Sequence, residues 1–109
     1  MKDYSVQYSD EALHDLRSIF SYLANERRER SIAQAQVRRI RDAIRSLDSF
    51  PKKFRTVDWE PWASMGMHQM AVDRYIVFYL VTEDRKAVSI VRIFYGGRDI
   101  PNIVAKTSH

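Results

Sequence analysis

The run Tyr75-Ile76-Val77-Phe78-Tyr79-Leu80-Val81 has no polar interruption, and it constrains the fold more than any other stretch of the chain. A strand with one wet face alternates apolar and polar residues, so an unbroken apolar run predicts a central strand covered on both faces. Its neighbours fit that reading. Met67 to Val72 reads as a strand joined to the run by a tight turn at Asp73-Arg74, and Val88 to Tyr95 as another, reached through the polar turn Thr82 to Lys86.

The N-terminal half supplies one more strand and two helices. Tyr4, Val6 and Tyr8 alternate with Ser5 and Gln7, the period of a half-buried strand. Ser9 stands as an N-cap, Asp10 and Glu11 suit the positive helix end, and Leu13, Leu16, Phe20 and Leu23 recur at helical spacing; together they predict an amphipathic helix over residues 10 to 25. After a charged break, Val37, Ile40, Ile44 and Leu47 form a second stripe, which predicts a helix from Ser31 to a stop at Phe50-Pro51. Lys52 to Met65 lacks a period and reads as a loop pinned by Trp59 and Trp62, and Pro101 opens a short tail, frayed beyond Ala105. The order β-α-α-β-β-β predicts an α+β fold, a helical hairpin packed on one face of a largely antiparallel four-stranded sheet. The other face of the central strand then needs cover from elsewhere.

Composition narrows the function classes. A chain of 109 residues, 45% of them hydrophobic, is sized for one domain, residues 1–109. With no cysteine, disulfides and thiolate metal sites are excluded, and His14, His68 and His109 are too scattered in sequence to suggest a metal centre; no cofactor is expected. The N-terminal stretch lacks a signal-peptide pattern and no apolar run is long enough to span a bilayer, so a cytoplasmic protein without membrane partners is expected. The net charge of +4 favours acidic partners without choosing among them, and a basic surface that binds nothing accounts for it equally well. The same choice applies to Arg38, Arg39, Arg41 and Arg45, on the outer face of the second helix.

Taken in order, "Y.V.Y", "EALHDLRSIFSYLA", "A...V..I..AI.SL..FP", "RYIVFYLV" and "VSIVRIFYGGRD" resemble the RelE/ParE family, the toxins of bacterial type II toxin-antitoxin modules. The resemblance spans residues 4 to 104. It implies a growth-inhibiting protein silenced by a cognate antitoxin, whose flexible segment wraps the toxin and could cover the open sheet face. Toxins of this fold act by two routes. RelE-like members cleave mRNA on the ribosome, and ParE-like members block DNA gyrase without hydrolysing anything.

Metal-free RNA cleavage needs a base for the 2′-hydroxyl, cations for the charged transition state and an acid for the leaving oxygen. If Asp73-Arg74 is a two-residue turn, Met67, Gln69 and Ala71 share a face with Ile76 and Phe78, and that face carries no charge. Ile76 stands where RNA-cutting relatives have an arginine. The catalytic candidates that remain are Arg98, which matches the family's C-terminal arginine, Tyr95 as a proton-transfer group, and His68 if a bulge turns it to the same face. Lys52, Lys53 and Arg55, with Arg98, are candidates for binding phosphate or target, and Tyr22, Phe54, Trp59 and Phe94 for the antitoxin contact. The empty catalytic positions favour the gyrase route over the nuclease, with a non-toxic interaction module as a third reading. Alternation through "RIFYGGRDI" groups Arg92 with Val88, Ile90 and Phe94. Gly96 and Gly97 are expected to supply backbone angles closed to other residues, with Asp99 pairing with Arg98 or capping the tail.

Overall fold

The computed structural model describes residues 3–107, which leaves His109 outside the described residues. The chain runs β1 (Ser5–Tyr8), α1 (Asp10–Arg27), α2 (Arg30–Arg45), α3 (Trp62–Met65), β2 (His68–Val72), β3 (Tyr75–Thr82), β4 (Ala87–Tyr95) and α4 (Ile100–Thr107), with 3-10 turns at Ser46–Asp48 and Pro51–Lys53. The sheet order is β1-β4-β3-β2. β1 lies parallel to β4, and the β4–β3 and β3–β2 pairs are antiparallel. The predicted α+β fold with a largely antiparallel sheet is what forms. Among the described residues no helix is long and apolar enough to cross a membrane.

β3 is central and covered on both faces, for the reason its sequence suggested. On one face Val77 and Tyr79 pack under the α1–α2 hairpin with Met70, Val88, Ile90 and Ile93. On the other, Phe78 packs with Phe94, Val57, Met67 and Trp62, while Trp59, Ile76 and Leu80 lie at the margin. The cover on this second face is the chain's own. Trp62 sits 4.9 Å from Phe78 and Trp59 5.2 Å from Trp62, ring to ring, and α4 adds Ile100 and Val104. The residues read as a fraying tail therefore form a helix as far as Thr107. Proline is tolerated in a first helical turn, and the spacing of Ile100, Ile103 and Val104 turns one apolar side to the sheet. An antitoxin segment is not needed to bury this face.

The helices keep their predicted places with two corrections. Ser9 caps α1 by accepting the Ala12 amide at 2.9 Å. The buried stripe, however, is Ala12, Leu16 and Ile19 with Leu23 beside it, so Leu13 and Phe20 flank the core instead of entering it. Phe20 lies under the Arg30 guanidinium at 5.6 Å. α2 buries Ala33, Ile40 and Ile44 and stops at Arg45, earlier than Pro51 required, because the chain tightens into a 3-10 turn that still delivers Leu47 to the core.

β4 carries the feature that sequence alternation missed. Phe78 pairs with Arg92 but Tyr79 pairs with Ile90, so Val91 is an extra residue, a β-bulge. Side-chain direction changes phase there. Val88, Ile90, Ile93 and Tyr95 share the hairpin side, while Arg92 and Phe94 align with Phe78 and Ile76 on the aromatic side, which corrects the grouping of Arg92 with Val88 and Ile90.

Candidate functional site

β1 ends opposite Ile90, and β4 continues to Tyr95 without it. A bulge beside an unpaired edge leaves backbone groups to be satisfied. The Ser9 hydroxyl donates to the Val91 carbonyl at 2.8 Å. The Asp15 carboxylate accepts the Ile93 amide at 2.8 Å and, from Arg92, Nε at 2.9 Å and Nη2 at 3.1 Å. Asp15 is the one buried charged residue among those described. Sequence reasoning passed over it; the available signal was a carboxylate set inside the stripe of Ala12, Leu16 and Ile19.

Between α1 and this edge lies a groove of about 840 Å³. Ser18, Tyr22 and Glu26 form the helical wall, Ile19, Tyr75 and Ile93 the floor, and Arg74, Tyr95 and Arg98 the far wall. Tyr22 and Tyr95 are exposed, and Tyr75 meets Tyr95 edge to face at 5.8 Å. Burial, then the nearby Tyr95 and Tyr22, raise the Tyr75 hydroxyl above its ordinary pKa, so it remains a neutral group. The Arg98 guanidinium rests 5.7 Å from the Phe94 ring, and neither Arg98 nor Arg74 has a carboxylate within ion-pair distance among the described residues. Asp99 does not pair with Arg98; it leads into α4, its carbonyl accepting the Ile103 amide.

The double glycine serves space rather than backbone angle. Neither Gly96 nor Gly97 has a positive φ. A Cβ at Gly97 would stand 2.7 Å from the Tyr95 ring, and one at Gly96 would stand 3.2 Å from the Arg74 carbonyl. The turn thus lets the Tyr95 ring lie close over the backbone and brings the strand end against Arg74.

Only part of the predicted site is brought together. Tyr95 and Arg98 share the groove. His68 faces the same side of the sheet as Tyr95 without a bulge in its own strand, but it does not join the groove because it lies too far along the sheet. It pairs with Tyr79 under the hairpin, whereas Tyr95 pairs with Tyr75, four residues away along β3 or about 13 Å. Its ring stacks on Tyr79 at 5.1 Å, and its Nδ1 lies 2.7 Å from the Phe54 carbonyl, which can only accept, so Nδ1 carries the proton. The Tyr79 hydroxyl donates to the Pro51 carbonyl, and burial raises its pKa. Gln69, Ala71, Ile76 and Phe78 do share one face, as the two-residue turn required.

The basic candidates are also dispersed. Lys52 pairs with Glu83 at 3.2 Å, and Lys53 lies 5.5 Å over Phe54. The Arg55 carbonyl accepts the Gln69 amide beside β2, so this cluster sits with His68, away from Arg98. On α2, Arg39 and Gln36 clasp Asp73, Arg45 pairs with Asp42, and Arg41 lies over Tyr8. Of the antitoxin candidates, Tyr22 is exposed, Phe94 is core, and Phe54 and Trp59 pack against the two cores. Among the described residues no cluster of His, Asp and Glu is placed to hold a metal ion.

Solved structures define the class to which this architecture belongs. A chain of the chromosomal ParDE system of P. aeruginosa superposes with a TM-score of 0.70 at 17% identity, covering 87% of this chain and 98% of that one. A chain of the archaeal RelE-RelB complex of Pyrococcus horikoshii gives 0.60 at 20%, covering 88% and 98%. A chain of the RelBE2 complex of Mycobacterium tuberculosis gives 0.61 at 19%, covering 87% and 93%. The fold is that of the RelE/ParE toxins. Residues 6–100 match the family described as the ParE toxin of the type II toxin-antitoxin system parDE, and the chain belongs to that family. No curated protein matches its sequence.

Proposed function

We propose that this chain arrests growth by a ParE-like route, binding and inhibiting DNA gyrase in the cytoplasm through its surface, and that a cognate antitoxin keeps it silent. One observation carries the choice of route: the groups that metal-free RNA cleavage needs do not converge. His68 is stacked under the hairpin, and the β2–β3 face presents Gln69, Ala71 and Ile76 in place of cations. An isolated arginine and tyrosine cannot supply base, acid and charge stabilisation together. The test is gyrase supercoiling with purified protein at stoichiometric excess. Inhibition that the antitoxin reverses is expected, and unaltered supercoiling and DNA cleavage would overturn the proposal.

A second reading is favoured by Tyr95 and Arg98 lining one groove with Arg74: a RelE-like mRNA endonuclease. It expects mRNA cleavage on programmed ribosomes, abolished by Arg98→Ala and Tyr95→Phe. Toxicity that survives both substitutions without mRNA cleavage excludes it.

A further inference from the structure

Phe50 departs in two ways from what folding alone selects. It stands at φ 49° and ψ 54°, the left-handed region that a bulky side chain avoids, and it is 77% exposed, more than any other large apolar residue among those described. Its ring belongs to neither apolar core and has no ring or cation partner among the described residues. The turn itself asks only for the backbone path. The Phe50 carbonyl accepts the Lys53 amide at 3.2 Å, and glycine or asparagine would supply the same angles without the strain.

Both flanks of Phe50 are fixed. The Asp48 carbonyl accepts the amides of Asp3 and Tyr4 before β1, and on the other side Pro51 is buried and its carbonyl accepts the Tyr79 hydroxyl. The ring is therefore displayed on a rigid base, so little freedom is lost when a partner closes on it. Strain kept at such a position points to function. The surrounding charges define what fits. Lys53 has no carboxylate within ion-pair distance among the described residues, and Lys52 and Lys86 share one, Glu83, at 3.2 and 3.6 Å. Glu83 follows the end of β3, whereas Tyr95 pairs with Tyr75 at its start, so this patch lies at the opposite end of the sheet from the Tyr95–Arg98 groove.

We propose that Phe50 anchors this chain on gyrase, its ring entering an apolar pocket and its neighbouring lysines meeting carboxylates at the pocket's rim. The inference rests on the gyrase reading above and names the surface that carries it. An aromatic side chain that fills a desolvated pocket supplies a large share of binding energy, and the charges around it supply orientation and on-rate. A nucleic-acid strand fits less well, because it is held by successive stacking rings along a basic track, and here a single ring stands near Glu83 and Asp84.

The experiment uses the full chain and purified gyrase. Affinity is measured by interferometry and potency by supercoiling for the parent, Phe50→Gly, Phe50→Asn and Lys52→Glu/Lys53→Glu, with urea unfolding alongside. Both Phe50 variants relax the backbone, so their urea midpoints are expected to equal or exceed the parent's while affinity and potency fall at least about tenfold. The lysine variant is expected to bind about tenfold more weakly, chiefly through a slower on-rate. Phe50 variants that inhibit as the parent does overturn this inference and leave the gyrase reading standing. A parent that does not bind gyrase overturns that reading and the inference with it. Weaker binding that comes with a lowered urea midpoint in both Phe50 variants assigns the residue to the fold and overturns the inference. Loss of antitoxin or DNA binding in both variants, while gyrase binding persists, assigns the ring to that partner and overturns it as well.

Discussion

Replacing Asp15 by alanine removes the one buried charged side chain among the described residues, which holds Arg92 and Ile93 of β4 against α1. Three hydrogen bonds are lost, one from the Ile93 amide and two from Arg92. A buried amide left without a partner costs about 1–3 kcal/mol. Breaking a buried ion pair costs about 3–5 kcal/mol when the surviving charge stays buried. The two figures do not add in full here. The Arg92 side chain is 26% exposed and lies on the Phe94 ring at 4.4 Å, so its guanidinium can turn towards solvent, and water can reach the amide from the groove. The expected loss is therefore about 2–4 kcal/mol, between the single-amide and full-pair values. For a domain of this size each kcal/mol lowers the midpoint by about 4–8 °C, so thermal unfolding should fall by roughly 8–32 °C. Urea unfolding followed by circular dichroism measures the free energy directly. Asp15→Asn, which keeps an acceptor but not the charge, should lie between parent and alanine. In a double-mutant cycle Arg92→Met should recover part of the alanine loss, since no uncompensated charge remains. A loss below about 0.5 kcal/mol for Asp15→Ala, of the size seen for ordinary surface substitutions, would refute the reasoning.

Four further outcomes follow from specific geometry. Phe50 is 77% exposed with φ 49° and ψ 54°, the left-handed region that bulky residues avoid, so Phe50→Gly should raise stability by about 0.5–1 kcal/mol, and a lowered urea midpoint would contradict this. Gly97→Ala should displace the Tyr95 ring and weaken antitoxin binding in calorimetry while folding is retained; unchanged affinity would show that the ring's position is immaterial. Arg39 and then Gln36 hold the Asp73 carboxyl below its usual 3.8, so its stabilisation is complete above that pH and fades as pH falls through the lowered value. Asp73→Asn should accordingly lower the urea midpoint at neutral pH and flatten its acid decline, and parallel pH profiles would exclude the assignment. Val104→Asp buries a carboxylate under α4 and should cost several kcal/mol, about 2–4 even if the helix detaches, with a red shift of tryptophan emission as Trp59 and Trp62 meet water. An unshifted spectrum would mean that α4 does not shield them.

Periodicity carried the reading where it was unbroken and failed where one residue interrupts it. The run from Tyr75 to Val81 reports cover on both faces of a strand, the alternation of Tyr4, Val6 and Tyr8 and the stripe of Ile40, Ile44 and Leu47 each report one face of a regular element, and all three hold. Val91 is different. An extra residue in β4 has no mark in composition, because a bulge is defined by how the partner strand pairs, so every side chain beyond it was assigned to the wrong face. The same holds for Asp15, whose role depends on an edge that exists only after β1 stops at Tyr8. α4 was missed because Pro101 reads as a terminator when it follows a strand, although it suits the first turn of a helix equally well. At the site, Tyr95 and Arg98 were legible as a local motif, and the groove that gives them a common address was not, since its helical wall comes from the other end of the chain.

The bulge also bears on which kind of toxin this sheet can make. Without the extra residue, strict alternation from Val88 and Ile90 would bring Phe94 under the hairpin and turn Tyr95 to the aromatic side. With it, Phe94 completes the second core beside Phe78 at 6.1 Å, and Tyr95 stands over the groove against Tyr75. One insertion thus fills the aromatic face and turns Tyr95 to the groove. Here the face that Gln69, Ala71 and Ile76 share with Phe78 is uncharged and partly packed, while the β4 end is turned to the opposite side of the sheet. A cation introduced at Ile76 would therefore lie across the sheet from Tyr95.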